Sequence, residues 1–261
     1  MKYLRYLCLL INLSLQAHEL SICTIFKDDS KYLPEWIAFH EKRGVEHFYL
    51  YNNDSQDDPE SILKPYIDRG IVTLTDWPFE HEHQGIWNAI QVNAYMDCVS
   101  KIKETDKWCA FLDTDEFLFS PLENDLRNVL KNYESYSGIM VYWRCYGTSG
   151  IDKIHDGEKM LNLLTMRGKD DNSWNIYHKS VMQPKYVDTC PDPHNFFSNS
   201  IERLDMKRSV DVLRINHYWS RDMDFFRNVK IPRSIKWHAV VEDFLSLERT
   251  FNDVCDPVLV D

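Results

Sequence analysis

Glycine is scarce in this sequence, and basic residues are outnumbered by acidic ones. Eight glycines and ten prolines in 261 residues leave little room for linkers, which excludes a string of small modules and favours one dense body. Lys and Arg number 30 against 41 Asp and Glu, a net charge of −11. That balance removes the general electrostatic pull toward nucleic acid or an anionic membrane surface, so no nucleic-acid partner is expected. The seven cysteines (Cys8, Cys23, Cys98, Cys109, Cys145, Cys190, Cys255) form no C-x-x-C and no Cys/His pair at zinc-finger spacing, which excludes the usual structural zinc patterns. Cys23 and Cys109 fall in apolar runs where thiols behave as small hydrophobes, so mostly free thiols are expected. Repeats and low-complexity tracts are absent, and no apolar run reaches the about 20 residues that a membrane-spanning helix needs. What is abundant is core material: 44% hydrophobic residues, with 8 Trp, 14 Tyr and 13 Phe.

Residues 1–17 carry a basic start (Lys2, Arg5), an apolar run from Leu7 to Leu15 and a small residue at Ala17. This is the anatomy of a signal peptide or short N-terminal anchor, implying export or the secretory pathway, with membrane association possible only through this segment. A frayed amphipathic helix on a cytoplasmic or membrane-associated chain is the plain alternative. A single domain is expected over 18–261, with one half to about 120 and a second from about 121.

From Leu20 the chain alternates strand and helix signals. Leu20–Lys27 is apolar and β-branched; Leu33–Arg43, opened by Pro34 and stopped by Gly44, has helical spacing. Val45–Tyr51 reads as a strand. Asp57 and Asp58 are N-cap candidates before Pro59, and a helix to Asp68 ends at Gly70. Ile71–Thr75 reads as a strand, Ile86–Lys103 as a long helix, and Trp108–Leu112 as a fourth strand. Four such units predict an α/β fold with a mostly parallel, Rossmann-like sheet flanked by helices, whose ligand crevice lies at the carboxyl ends of the strands. The second half is less regular, with strands expected at Gly138–Tyr146, Tyr177–Gln183 and Val212–His217.

The crevice rule marks the residues just past each strand: Asp28 and Asp29, Asn52 to Asp54, Asp76, and Asp113 to Glu116. Four acidic or amide-bearing ends in register suit a divalent cation with oxygen ligands; a solvated acidic rim is the bland alternative. The strongest local signal is Trp108-Cys109-Ala110-Phe111-Leu112-Asp113-Thr114-Asp115-Glu116-Phe117, an apolar strand running into D-x-D. Alternating carboxylates at a strand end can hold one hard cation, and that cation can bridge a nucleotide diphosphate.

Phe26-Lys27-Asp28-Asp29, Leu33-Pro34-Glu35-Trp36 with Phe39-His40 and Gly44, Tyr51-Asn52-Asn53-Asp54-Ser55 and Phe111 to Phe117 resemble the opening of glycosyltransferase family 92 and family 2-like enzymes. Tyr177-His178-Lys179-Ser180, His194, Ile215-Asn216-His217-Tyr218, Lys230 and Arg233 are similar to the same group. The resemblance covers about residues 20 to 235 and implies a GT-A fold and a metal-dependent transfer of sugar from a nucleotide-diphosphate sugar, a UDP-sugar foremost, to a glycan or other hydroxyl acceptor. It implies that Asp54 faces the nucleotide base or ribose, with Asp28 also on the donor side. Asp113 and Asp115 would hold Mn²⁺ or Mg²⁺, with His217 or His194 completing the sphere and His217 preferred; a hydrogen-bonded core histidine is the competing reading of His217.

Lys179, Lys230 and Arg233 are candidates to neutralise diphosphate oxygens, against ordinary roles as surface charges. Gln84, Asn88 and Gln91 near the start of the long helix are candidates to hydrogen-bond donor sugar or ribose, against capping and surface roles. His81 and His83 could share one face of an extended segment, though a loop pair is the simpler reading. If the anomeric centre inverts, Asp192, Glu116 and His194 are the candidate bases for the acceptor hydroxyl. Two other function classes compete. One is a haloacid-dehalogenase-like phosphatase, where D-x-D should follow the first strand and not the fourth; the other is a catalytically idle carbohydrate-binding protein of the same fold.

Overall fold

The computed structural model describes residues 17–80, 83–205, 210–235 and 241–257. The signal or anchor segment, up to residue 16, and His81 lie outside the described residues. Among the described residues no helix is long and apolar enough to cross a membrane.

The first half is built as the alternation predicts. Strand β1 (Leu20–Phe26) is followed by α1 (Leu33–Glu41), β2 (His47–Asn52), α2 (Pro59–Asp68), β3 (Val72–Asp76), α3 (Gln84–Ile102) and β4 (Trp108–Phe111). Pro59 occupies the first turn of α2, and of the two N-cap candidates Asp58 is the cap, its carboxylate accepting the Ser61 N–H. Strands β3, β2, β1 and β4 lie side by side in that order, all parallel. The two inner strands, β1 and β4, are buried at every position because both their faces are covered. Leu20, Ile22, Phe26, Trp108 and Ala110 pack into the core that holds Leu33, Trp36 and Ile37 of α1. Cys23, Ile25, Cys109 and Phe111, one residue out of phase, pack on Ile90, Ala94 and Tyr95 of α3.

The chain then departs from the doubly wound pattern. Past the D-x-D turn comes a strand that the sequence did not announce, β5 (Glu116–Phe119), and a short helix α4 (Leu126–Leu130). There follow β6 (Gly138–Cys145), α5 (Met160–Leu163), β7 (Met166–Arg167), β8 (His178–Met182), the hairpin β9 (Thr189–Asp192) and β10 (Asn195–Phe197), β11 (Arg203–Asp205) and β12 (Arg214–His217). The chain closes with α6 (Met223–Phe225), a π-helical turn over Phe226–Lys230, α7 (Ile231–Ile235), α8 (Val241–Arg249) and β13 (Val254–Cys255).

The sheet continues β4-β8-β6-β12-β5, with β8 antiparallel to both neighbours and β12 parallel to β6 but antiparallel to β5. The α/β class is therefore as expected, with a parallel half and a mixed half. Two side chains of α1 fasten β5: the Trp36 indole N–H donates to the Glu116 carbonyl at 2.8 Å. The Leu118 N–H donates to His40 Nε2 at 3.1 Å while His40 Nδ1 meets the Trp36 carbonyl at 2.9 Å. Cys23, Cys98, Cys109, Cys145 and Cys190 are buried free thiols, and Cys255 is an exposed one.

Candidate active site

A cleft of about 490 Å³ opens at the carboxyl ends of β1 and β4. Its floor is the D-x-D turn. Asp113 Oδ1 accepts from the Gln91 amide at 2.6 Å and Oδ2 pairs with the Lys179 ammonium at 3.0 Å. Asp115 Oδ2 pairs with Lys230 at 3.3 Å, and its Oδ1 lies 3.4 Å from His217 Nε2. Each carboxylate thus has a lysine beside it.

Strand register explains how His217 arrives. Because β5 leaves the turn immediately and pairs antiparallel with β12, Glu116 faces His217 across the ladder, and the Tyr218 N–H donates to the Asp115 carbonyl at 2.8 Å. The His217 ring lies on Trp143, with centroids 4.2 Å apart.

Charges inside the cleft are strongly perturbed. Burial alone would raise the Asp115 carboxyl, but Lys230 and then His217 outweigh it and hold the group well below the usual carboxylate range. Glu116 is fully buried behind the turn. Burial pushes its carboxyl well above the usual range against the pull of Lys179, and Asp113 and Asp115 add to the rise. Burial opposes the Lys179 ammonium, yet Asp113 and then Glu116 keep its pKa above normal. Burial, reinforced by Lys179, lowers His194 to about 4, so this imidazole is neutral near pH 7. Its Nδ1 lies 2.8 Å from the His178 carbonyl, an acceptor only, which makes Nδ1 the protonated nitrogen and Nε2 the basic one.

Beneath the turn lies a clamp that sequence reasoning missed. Thr114, the middle residue of D-x-D, donates its hydroxyl to Asp29 Oδ2 at 2.6 Å. Arg221 Nη1 donates to Asp29 Oδ1 at 2.6 Å and its Nη2 to the Thr114 hydroxyl oxygen at 3.2 Å. The guanidinium lies 3.8 Å from the Tyr32 ring centroid and 4.6 Å from that of Phe225. Nothing in the run Trp219-Ser220-Arg221-Asp222 marks this arginine apart from an ordinary polar loop.

Of the residues expected at the site, Gln84, Asn88, Gln91, Asp113, Asp115, Lys179, His194, His217, Lys230 and Arg233 all line the cleft. Gln84, Asn88 and Gln91 do so from one face of α3, at helical spacing. Gln91 differs from its expected role, since its amide is committed to Asp113 and the Tyr95 hydroxyl. The structure does not bring Asp28, Asp54, Glu116 or Asp192 into the cleft wall. Asp28 and Asp54 are exposed at left-handed backbone positions, with φ of 55° and 54°, and the Asp28 carboxylate accepts the Gln56 N–H. Glu116 caps the turn from within by accepting the Asp113 N–H at 2.8 Å. Asp192 closes the β9–β10 hairpin by accepting from the His194 and Asn195 backbone and the Asn195 amide. Asp76 is exposed and also outside the wall, so the four acidic strand ends converge at two, β1 through Asp29 and β4 through its D-x-D.

Two donors suit a divalent cation: Asp115 Oδ1 and His217 Nε2, an oxygen and a nitrogen of the type Mn²⁺ accepts, stand 3.4 Å apart on one wall. Among the described residues no group of three His, Cys, Asp or Glu side chains is gathered for a metal. Asp113 would supply a third donor by exchanging its contact with Gln91 or Lys179.

The sequence model of glycosyltransferase family 92 matches residues 17–253. A family 92 protein of Ricinus communis is 29% identical over 233 residues, 86% of this chain and 39% of the relative. One of Oryza sativa subsp. japonica is 31% identical over 218 residues, 82% of this chain and 35% of the relative. The galactan β-1,4-galactosyltransferase GALS3 of Arabidopsis thaliana is 33% identical over 109 residues, 40% of this chain and 21% of that protein. The chain spans under two fifths of the length of these relatives.

Proposed function

Since the chain belongs to glycosyltransferase family 92, we propose that it transfers a sugar from a uridine-diphosphate sugar to a hydroxyl of a glycan. The observation carrying this reading is the Asp113-Thr114-Asp115 turn, placed at the carboxyl end of the fourth parallel strand with Lys179 and Lys230 against its two carboxylates. The name of the Arabidopsis relative favours galactose as the sugar.

In this reading Asp115 and His217 would hold Mn²⁺ or Mg²⁺, with Asp113 as the further donor. The cation, when bound, supplies charge stabilisation to the departing diphosphate. Lys179, Lys230 and Arg233 line the same cleft and would add positive charge for the diphosphate. Gln84 and Asn88 supply hydrogen bonds to the sugar or ribose from α3. In a single displacement the acceptor oxygen bonds to the anomeric carbon as the bond to the diphosphate oxygen breaks. The hydroxyl proton then passes to His194, which is neutral, lines the cleft and has Nε2 as its basic nitrogen. Asp192 and Glu116 are committed to the hairpin and the turn.

Calorimetric titration with UDP, with and without Mn²⁺, tests the reading. Saturable Mn²⁺-dependent binding that disappears in both Asp113→Ala and Asp115→Ala, with circular dichroism unchanged, is the expected result. UDP affinity indifferent to Mn²⁺ and to both substitutions would remove the metal assignment.

A further inference from the structure

One wall of the cleft is aromatic. From His217 the rings run outward in contact: Trp143 at 4.2 Å between centroids, then Tyr177 at 5.5 Å from Trp143, Trp174 at 5.8 Å from Tyr177, and Trp219 at 5.3 Å from Trp174. All line the cleft. Exposure peaks at Tyr177, 45%, between a buried Trp143 at 5% and a buried Trp219 at 7%. Leaving a large ring half in water beside a cleft forgoes the free energy that its burial would give, and a ligand face can recover it.

The wall is held rigidly. Asn172 Oδ1 accepts the Trp174 N–H at 3.0 Å, and the Asn172 amide donates to the Thr250 carbonyl at 3.1 Å, pinning the turn Ser173–Ile176 to the end of α8. The Trp174 ring rests against Phe251 at 5.7 Å. His194, the proposed base, stands 5.5 Å from the Trp143 ring and 6.2 Å from Tyr177.

Ligand chemistry follows from charge as well as shape. The rings carry none, and Lys230, which reaches the Trp219 ring at 5.1 Å, is already paired with Asp115. Arg144, next to Trp143 on β6, and Arg167 of β7 both pair with Asp170. A pyranose sugar presents C–H bonds on its faces and hydroxyls around its edge, so a face meets the negative surface of an aromatic ring while the hydroxyls stay wet. A uronate would bring a carboxylate for which the rings themselves offer no partner.

We infer that Tyr177 and Trp174 form the acceptor subsite, taking a neutral pyranose oligosaccharide whose penultimate ring stacks on Tyr177 while its terminal hydroxyl reaches His194. This deepens the glycosyltransferase reading and rests on it.

The test is tryptophan-fluorescence titration, without nucleotide, using cellotetraose, mannotetraose, β-1,4-galactotetraose and tetragalacturonate. At least one neutral tetraose should give a saturable change, with affinity about tenfold weaker in Tyr177→Ala and retained in Tyr177→Phe. If Tyr177→Ala fails to fold, Tyr177→Leu, which fills the space without a π face, takes its place. No saturable change with any neutral tetraose, equal affinity in the ring-less variant, or tighter binding of tetragalacturonate would overturn the subsite. A separate UDP and Mn²⁺ titration of the same proteins distinguishes this failure from that of the transferase reading, which stands or falls on nucleotide binding alone.

Discussion

Replacing Arg221 with Met tests whether the clamp under the D-x-D turn is what holds the site in shape. The methionine keeps the apolar stem between Tyr32 and Phe225 but deletes a guanidinium whose side chain is 2% exposed. Asp29, at 11%, is left buried with the Thr114 hydroxyl as its remaining donor in the clamp. Removing one partner of a buried, hydrogen-bonded ion pair costs about 3–5 kcal/mol, because the remaining charge is stranded. In a chain of this size that corresponds to a fall in Tm of roughly 10 °C. Arg221 also sits at a φ of 51°, a left-handed position disfavoured for a non-glycine residue, which persists here inside a fully paired surround. Thermal melts followed by circular dichroism should show the fall. Asp29→Asn should cause one of similar size, and the double variant should lose less than the two single losses combined, since neither charge is then stranded. In the cold, where Arg221→Met remains folded, a looser turn should weaken Mn²⁺-dependent UDP binding. A change in Tm below about 2 °C, or strictly additive losses in the double variant, would refute the clamp.

Three other outcomes follow from the same geometry. His217→Ala should reduce Mn²⁺ affinity measured by electron paramagnetic resonance with little change in Tm; a lower Tm with normal Mn²⁺ binding would make it a core residue instead. His194→Gln should lower the transfer rate by about 10²-fold or more at fixed UDP affinity; a rate within twofold of the wild type would exclude it as the base. Burial lowers His40 to about 3, and His47 and His194 to about 4, from an ordinary value of 6.5. The unfolded chain therefore binds more protons than the native one between pH 6.5 and about 4, so stability is held above pH 6.5 and drains as pH falls through that window. Urea midpoints should drop steadily from pH 7 to 4, and a flat profile would contradict the buried neutral histidines.

The parts of the molecule that were legible in the sequence are those set by neighbours along the chain. Continuous apolar runs such as Leu20–Phe26 and Trp108–Phe111, with Pro34, Pro59 and Gly70 as punctuation, located every element of the parallel half to within a residue or two. Its acidic ends were less informative than their composition suggested. Asp28 and Asp54 adopt left-handed turns that leave them in solvent, whereas Asp29, one residue along, turns inward to Arg221. A one-residue change of phase separates a surface acid from a buried one, and composition does not report phase.

What remained hidden depends on pairing between distant segments. Strand β5 is four residues long, and its partner β12 lies nearly a hundred positions further on. Neither length nor spacing announces it. Yet that pairing sets the distance from His217 to Asp115: a shift of one residue would turn the imidazole to the opposite face and leave the D-x-D without its nearest nitrogen donor. The β5–β12 register places His217 beside the turn, whatever it binds there. His194 comes to the same cleft by another route, through the β9–β10 hairpin, where its Nδ1 is held by the His178 carbonyl. The two imidazoles are therefore not interchangeable. One is opposed to a carboxylate at 3.4 Å, as a cation ligand would be, and the other is kept neutral beside an aromatic wall, as a proton acceptor must be.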